Sequence, residues 1–300
     1  MTAVGIDIGR SGVKIAGPRA RVPIFPALAC PAVAVEPGPE RQRAEHDTVQ
    51  VDGQAWFVGE SAQIHGGATN STYAGFEASP QYVALAEAAL RRATEADGVA
   101  PKRIVVGVPS EAGHTERARV ESTWRRIAPH AALRVVAQPA GALIAAASDH
   151  PRLLEETVIV ADVGQYSSDL VISAQGRPMA GSFVSLPGVR FAVQHLAAAL
   201  RERLVGSPTH DALERALRDG RLPHLLKVHD VHDEAKAAVA AMTALIRAGI
   251  QRLMTARQDV QVLLLAGGGA PLLDLDLPSL TAPGGRYAVA NGFAMIAQDL

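Results

Sequence analysis

Val4-Gly-Ile-Asp7-Ile-Gly9-Arg10-Ser11-Gly12-Val-Lys14 and Val158-Ile-Val-Ala-Asp162-Val-Gly164-Gln165-Tyr166-Ser167-Ser-Asp169 share one frame, Asp-x-Gly-x-x-x-x-(Lys or Asp). Each opens on an apolar run that reads as a buried strand, and each runs on into a second strand, Val13 to Ala16 and Leu170 to Ser173. The pattern predicts strand, glycine-containing turn, strand, with a carboxylate at the end of the first strand. One Asp-x-Gly hairpin is an ordinary turn; two in the same frame, at the starts of two halves, argue for a device used twice. Glycines at Gly9, Gly12 and Gly164 let backbone N–H groups come close to phosphate oxygens. Asp7 and Asp162 fit beside phosphates only with a hard cation between them, and magnesium takes few protein carboxylates and keeps its waters. Lys14 supplies a point positive charge for phosphate. Two such hairpins facing each other would clamp a polyphosphate and its metal.

A third segment, Val262-Leu-Leu-Leu-Ala-Gly267-Gly268-Gly269-Ala-Pro271, runs from a strand into a triple-glycine turn. Backbone without side chains there lets a flat base or ribose pack close. It is neither a Walker A loop nor a G-x-G-x-x-G fingerprint.

With these three segments the chain resembles the actin, sugar kinase and heat-shock chaperone ATPase superfamily, whose phosphate 1, phosphate 2 and adenosine motifs come in this order. Arg134-Val-Val-Ala-Gln138-Pro139-Ala-Gly-Ala-Leu is similar to its first connecting helix and Tyr287-Ala-Val-Ala-Asn291-Gly292-Phe293 to its second. Within the superfamily the pattern is most similar to bacterial and archaeal actins of the ParM/StbA type, on Lys14, on Val51 to Ser61, on Ile104-Val-Val-Gly-Val-Pro109 and on the C-terminal segment. The resemblance implies an α/β, actin-like (ribonuclease H-like, duplicated) two-domain fold with a nucleotide cleft between the halves. Domain I would span 1–160, with an insert at about 18–77 and a C-terminal helix, 287–300, packing back on it. Domain II would span 161–286, with an insert at about 190–234.

The site it implies is a nucleotide, ATP or GTP, with Mg2+. Asp7 and Asp162 would hold the metal through water, Gln138 would orient the attacking water, and Gly9, Arg10, Ser11, Gly12, Lys14, Gly164, Gln165, Tyr166, Ser167, Asp169, Gly267, Gly268 and Gly269 would line the nucleotide. Asp169 would act on the water or fix its hairpin. Phosphoryl transfer needs positioning and charge neutralisation more than a strong base. The second loop departs from the superfamily's Asp-x-Gly-Gly-Gly-Thr-x-Asp, and Gln165 and Tyr166 are expected to crowd the γ-phosphate, slow hydrolysis or shift nucleotide preference. Arg10 stands where small residues are common and would contact phosphate or face solvent.

The implied function is that of a ParM-like filament-forming ATPase in plasmid or DNA partition, its partners being copies of itself and a DNA-binding adaptor. The alternatives are a small-molecule kinase, which the short inserts disfavour, and a scaffold that binds ATP without polymerising. A chaperone would need a further substrate domain.

Composition agrees. Three hundred residues, 48% apolar, suffice for two α/β cores. A net charge of −1 gives no electrostatic reason for direct nucleic-acid or anionic-membrane binding. One cysteine, Cys30, excludes an intramolecular disulfide, fits a reducing compartment and reads as a small buried apolar residue. The chain enters a strand almost at once and no apolar run approaches the ~20 residues of a membrane span; the expected location is the cytoplasm. His229-Asp230-Val-His232-Asp233-Glu234 holds ligand-type side chains, but neighbours in a row rarely converge on one metal, and Asp230 or Asp233 reads better as a helix cap. Arg117, Arg119, Arg125 and Arg126 read as a solvated or subunit-contact helix face, and Pro18-Arg19-Ala20-Arg21 as surface loop.

Overall fold

The computed structural model describes residues 2–17, 21–66 and 75–300, so the expected surface loop at Pro18, Arg19 and Ala20 lies outside the described residues. The chain divides into two compact units, Met1–His150 with Arg286–Leu300, and Pro151–Gly285.

The first unit runs β1 (Ala3–Ile8), β2 (Gly12–Ala16), β3 (Arg21–Pro26), β4 (Ala29–Pro31), α1 (Pro39–His46), β5 (Thr48–Val51), β6 (Gln54–Val58), α2 (Gly59–His65), α3 (Pro80–Asp97), β7 (Arg103–Val108), α4 (His114–Ile127), β8 (Ala132–Ala137) and α5 (Gln138–Ala147). Its main sheet has the order β3-β2-β1-β7-β8, and β4-β6-β5 form a smaller one. β1 and β2 pair antiparallel, whereas β1, β7 and β8 run parallel. Central β1 is buried from Ala3 to Asp7, as its unbroken apolar run requires of a strand covered on both faces.

Local signals set these elements. Ser79 caps α3 by accepting from the Tyr82 N–H at 3.2 Å, Pro80 takes the first turn, and Gly98 stops the helix at φ 70°. Asp52 and Gly53, at φ 49° and 82°, form the tight turn between β5 and β6. A buried Asp47 ties this small sheet to α3: it accepts from Ser61 and, at 2.7 Å, from Arg92, whose guanidinium also lies 3.9 Å over the Phe25 ring.

The second unit runs β9 (Thr157–Val163), β10 (Ser167–Ala174), β11 (Arg177–Pro178), β12 (Val184–Pro187), α6 (Val189–Leu200), α7 (His210–Asp219), β13 (Arg221–His224), β14 (Lys227–Asp230), α8 (His232–Ala256), β15 (Val262–Ala266) and β16 (Leu280–Thr281). Its sheet has the order β11-β10-β9-β15-β16, with β12 on β10. The scheme repeats that of the first unit: an antiparallel opening hairpin, then parallel pairing of its first strand with β15 and of β15 with β16. α8 is long and apolar enough, by length and composition, to cross a bilayer, yet Ala238, Met242, Ile246, Ile250 and Leu253 of its apolar stripe lie in the core of this unit.

The last helix, α9 (Ala288–Gln298), belongs to the first unit. It packs by backbone contact on α5 and β1: a Cβ at Gly292 would stand 1.8 Å from the Gly141 carbonyl oxygen, and one at Gly5 2.2 Å from that of Ala290. Phe293 is fully buried against Gly107 and Gly141.

Several elements carry little local signal in the sequence. The polar stretch to His46 contains β3, β4 and α1; α1 buries only Ala44 and is braced by Arg41–Glu45 at 3.0 Å, so no apolar period marked it. The helix from Val189 stops at Leu200. α7 starts after Thr209, whose hydroxyl accepts from the Ala212 N–H. Ahead of α8 stands a hairpin, β13–β14, turning at Leu225 and Leu226 with φ 47° and 63°. Leucines rarely take that conformation, so the sequence carried no turn signal.

Gly292→Ala is expected to cost about 3 kcal/mol, the upper part of the usual overpacking range, because the obstacle is backbone and not a movable side chain. A thermal or urea melt checks it; an unchanged midpoint would refute the packing account.

Candidate functional site

The two opening hairpins are built alike. In β1–β2 the pairing sets Asp7 opposite Lys14, and in β9–β10 it sets Asp162 opposite Asp169. Both turns close through the same bond, Gly9 N–H to the Gly12 carbonyl at 3.1 Å and Gly164 N–H to the Ser167 carbonyl at 2.9 Å. The shared frame therefore encodes a register: residue i faces residue i+7 across the hairpin.

At the first hairpin three side chains converge. The Asp7 carboxylate, buried, accepts from Lys14 Nζ at 3.0 Å on Oδ2 and from Gln138 Nε2 at 2.7 Å on Oδ1. Gln138 begins α5, with Pro139 in its first turn, so helix start and strand end are locked together. A Cβ at Gly9 would lie 2.5 Å from Lys14 Nζ, so a side chain there would displace the lysine from its place beside Asp7. The Ser11 carbonyl accepts from the Ala27 N–H, and Gly12 packs beneath Ile24 and Phe25. Arg10 is half exposed, 3.8 Å from Glu111; such surface pairs contribute little.

At the second hairpin the carbonyls of Gly164, Gln165 and Tyr166 accept from the N–H groups of Val189, Arg190 and Gly188 at 3.0, 2.8 and 3.1 Å. The turn thus satisfies the N-terminus of α6. Across a trans peptide C=O and N–H point opposite ways, so the N–H groups of Gln165, Tyr166 and Ser167 face away from α6, as a concave anion site requires. Gly188 permits the approach: its Cβ would meet the Gly164 oxygen at 2.4 Å. Asp169 accepts from Ser167 at 3.2 Å and Ser185 at 2.7 Å.

The side chains of Gln165 and Tyr166 both have partners on the helices that follow. The Gln165 amide nitrogen stands 2.9 Å from both Glu214 Oε2 and His210 Nε2 on α7, and the Tyr166 ring lies under the Arg190 guanidinium at 5.3 Å. α7 was not expected to take part, because nothing in its sequence resembles a loop motif.

The third turn abuts the second hairpin. Gly267 has φ 84°, and a Cβ there would lie 2.4 Å from Asp162 Oδ1; one at Gly269 would meet Val163 and Val189 at 2.6 Å. Gly269 N–H donates to the Val163 carbonyl at 2.9 Å, and Arg218 of α7 donates to that of Gly268 at 3.1 Å.

Among the described residues no three His, Cys, Asp or Glu side chains come together to hold a metal by themselves. Asp230 accepts from the His232 N–H at the start of α8, at 3.1 Å. On α4, Arg125 pairs with Glu121 at 2.6 Å and Arg126 with Asp52 at 3.0 Å.

Removing Lys14 leaves the Asp7 charge buried beside an amide alone. Lys14→Met is expected to destabilise the protein by about 3 kcal/mol, whereas the pair Asp7→Asn with Lys14→Met recovers most of it. Urea unfolding measures both; a harmless Lys14→Met would show that the pair does not hold the hairpin.

Residues 5–141 match the family model described as the actin like proteins N terminal domain. No curated protein matches the sequence. Among solved structures, the chain is similar over all its length to an archaeal actin homolog in complex with ADP (17% identity, 100% of that chain, TM-score 0.74). It is similar, again over all its length, to the subunit of a 15-stranded ParM filament from Clostridium botulinum (16%, 99% of that chain, 0.73). A non-polymerising MamK mutant bound to AMPPNP matches 99% of this chain and 98% of its own at 16% identity, with a TM-score of 0.67. At such identities the likeness speaks for fold. The chain is thus an actin-like protein in fold, and its N-terminal part matches the actin-like N-terminal domain family.

Proposed function

We propose that this protein binds a magnesium purine nucleotide, hydrolyses ATP and assembles with copies of itself into filaments that act in DNA partition through a DNA-binding adaptor. The observation that carries the nucleotide reading is the convergence of Lys14 and Gln138 on Asp7 beside a glycine turn, with its counterpart at Asp162. An archaeal actin homolog with ADP and a MamK mutant with AMPPNP support it.

The residues fit a magnesium ion. Asp7 and Asp162 offer carboxylate oxygens, the hard ligands that magnesium takes. Asp162 and Asp7 would hold the ion through water; when bound it neutralises charge on the phosphates. Lys14 adds its own charge beside the first turn. The backbone N–H groups of Gln165 to Ser167 receive phosphate oxygens, and Gly267 to Gly269 let base and ribose pack on bare backbone. Gln138, its Nε2 held by Asp7, turns its carbonyl oxygen to a water and orients it for in-line attack. ATP and GTP both suit such a surface.

Self-assembly is supported by the filament-forming neighbours, ParM and MamK, and by apolar residues collected on one knob. Val205, Leu225, Leu226 and Val228 are 82, 64, 109 and 58% exposed, and His224 Nε2 sits 2.8 Å from the Val205 carbonyl, bringing the segments together. Leucines held at positive φ in open solvent are a strained feature, of the kind kept for a function. Head-to-tail contacts that do not close give filaments.

Light scattering and pelleting with Mg-ATP, Mg-ADP and a non-hydrolysable analogue test the reading. Scattering is expected to rise with ATP and decay as phosphate appears. Nucleotide binding without pelletable polymer would contradict assembly. Asp162→Ala is expected to abolish ATP hydrolysis, and Leu226→Asp to lower the pelleted fraction while leaving nucleotide binding intact.

A further inference from the structure

Three residues one helical turn apart, His210, Glu214 and Arg218, occupy one face of α7. All three reach turns that a nucleotide would use: His210 and Glu214 meet Gln165 at 2.9 Å, and Arg218 meets the Gly268 carbonyl at 3.1 Å. The opposite face, Ala212, Leu213, Ala216 and Leu217, is buried in the core of the second unit. The Gln165 amide has one orientation open to it. Turned over, its oxygen would confront the Glu214 carboxylate; as placed, one hydrogen serves Glu214 and the other points to His210 Nε2, which accepts it in the tautomer that carries its proton on Nδ1.

We propose that α7 is a latch on this surface, and that Gln165 is a positioning residue which makes the phosphate turn and α7 move as one body. This deepens the nucleotide reading above and rests on it. The carbonyls of the turn are already held by α6, so the amide adds a second, independent fastening on another helix. Arg218 fastens the third turn to the same helix. Neither turn can then open for exchange of nucleotide unless α7 lets go, and the bond between Gln165 and Glu214, charge-assisted and half-buried, is the fastening that a single substitution cuts. A glycine at 165 would leave the turn attached to α6 alone. The replacement of a small residue by Gln165 thus acts through α7 and not by filling the phosphate space.

The test is a double-mutant cycle on the full chain, with Gln165→Ala, Glu214→Ala and both together, and Glu214→Gln as the conservative variant. Two quantities are read: the dissociation rate of N-methylanthraniloyl-ADP in magnesium, and hydrogen exchange of residues 163–168 and 210–219 without nucleotide. Each alanine variant is expected to release the nucleotide about tenfold faster, the scale of one charge-assisted hydrogen bond. The double variant should be no faster than either single, and Glu214→Gln, which keeps an acceptor, should stay near the parent. Exchange in both segments should rise together in the alanine variants. Multiplying effects in the double variant, or exchange unchanged by Gln165→Ala, would overturn the latch. A parent that binds no nucleotide would refute the nucleotide reading instead, and the exchange cycle would still decide whether turn and helix are fastened.

Discussion

A carboxylate near the end of a buried strand depends on what the pairing register sets across from it, and that register, shared by two hairpins, organises the protein. The register that opposes residue i to residue i+7 puts Lys14 across from Asp7 but Asp169 across from Asp162. One hairpin is charge-balanced within itself; its counterpart presents two acids on one face. The same backbone device therefore carries two different side-chain pairs, a carboxylate with a lysine and a carboxylate with a carboxylate. Gln138 extends the first hairpin to the start of α5, so the position of a helix depends on the same carboxylate.

Close backbone approach is the second constraint. Gly141 and Gly292 let α5 and α9 meet without side chains, Gly5 admits α9 to the central strand, and Gly188 admits α6 to the turn after β9. In each case the obstacle to a Cβ is a backbone atom, which cannot rotate away. These glycines seat α5 and α6, which in turn hold the two hairpins, and so act on the hairpins at a distance.

Much of this was legible because it rests on local chemistry. The repeated Asp-x-Gly frame, the Ser79-Pro80 start and Gly98 stop of α3, and the Asp52-Gly53 turn each have a mechanism confined to a few residues. The convergence of Asp7, Lys14 and Gln138 was reachable only because a family resemblance linked segments far apart in the chain. What stayed hidden had no local mark. α1 is polar all round, and the turn at Leu225-Leu226 breaks the residue preference that would reveal it. The engagement of Gln165 by α7 depends on a tertiary contact 49 residues away, which no local pattern marks.

The most direct test of the account is calorimetric titration of ADP into the protein with magnesium and then with excess EDTA. Saturable one-to-one binding, weakened at least about tenfold by removal of the metal, a change of about 1.4 kcal/mol, is the result the two hairpins predict. Absence of binding in magnesium, or affinity indifferent to EDTA, would contradict the claim that these turns and carboxylates form a metal–nucleotide site.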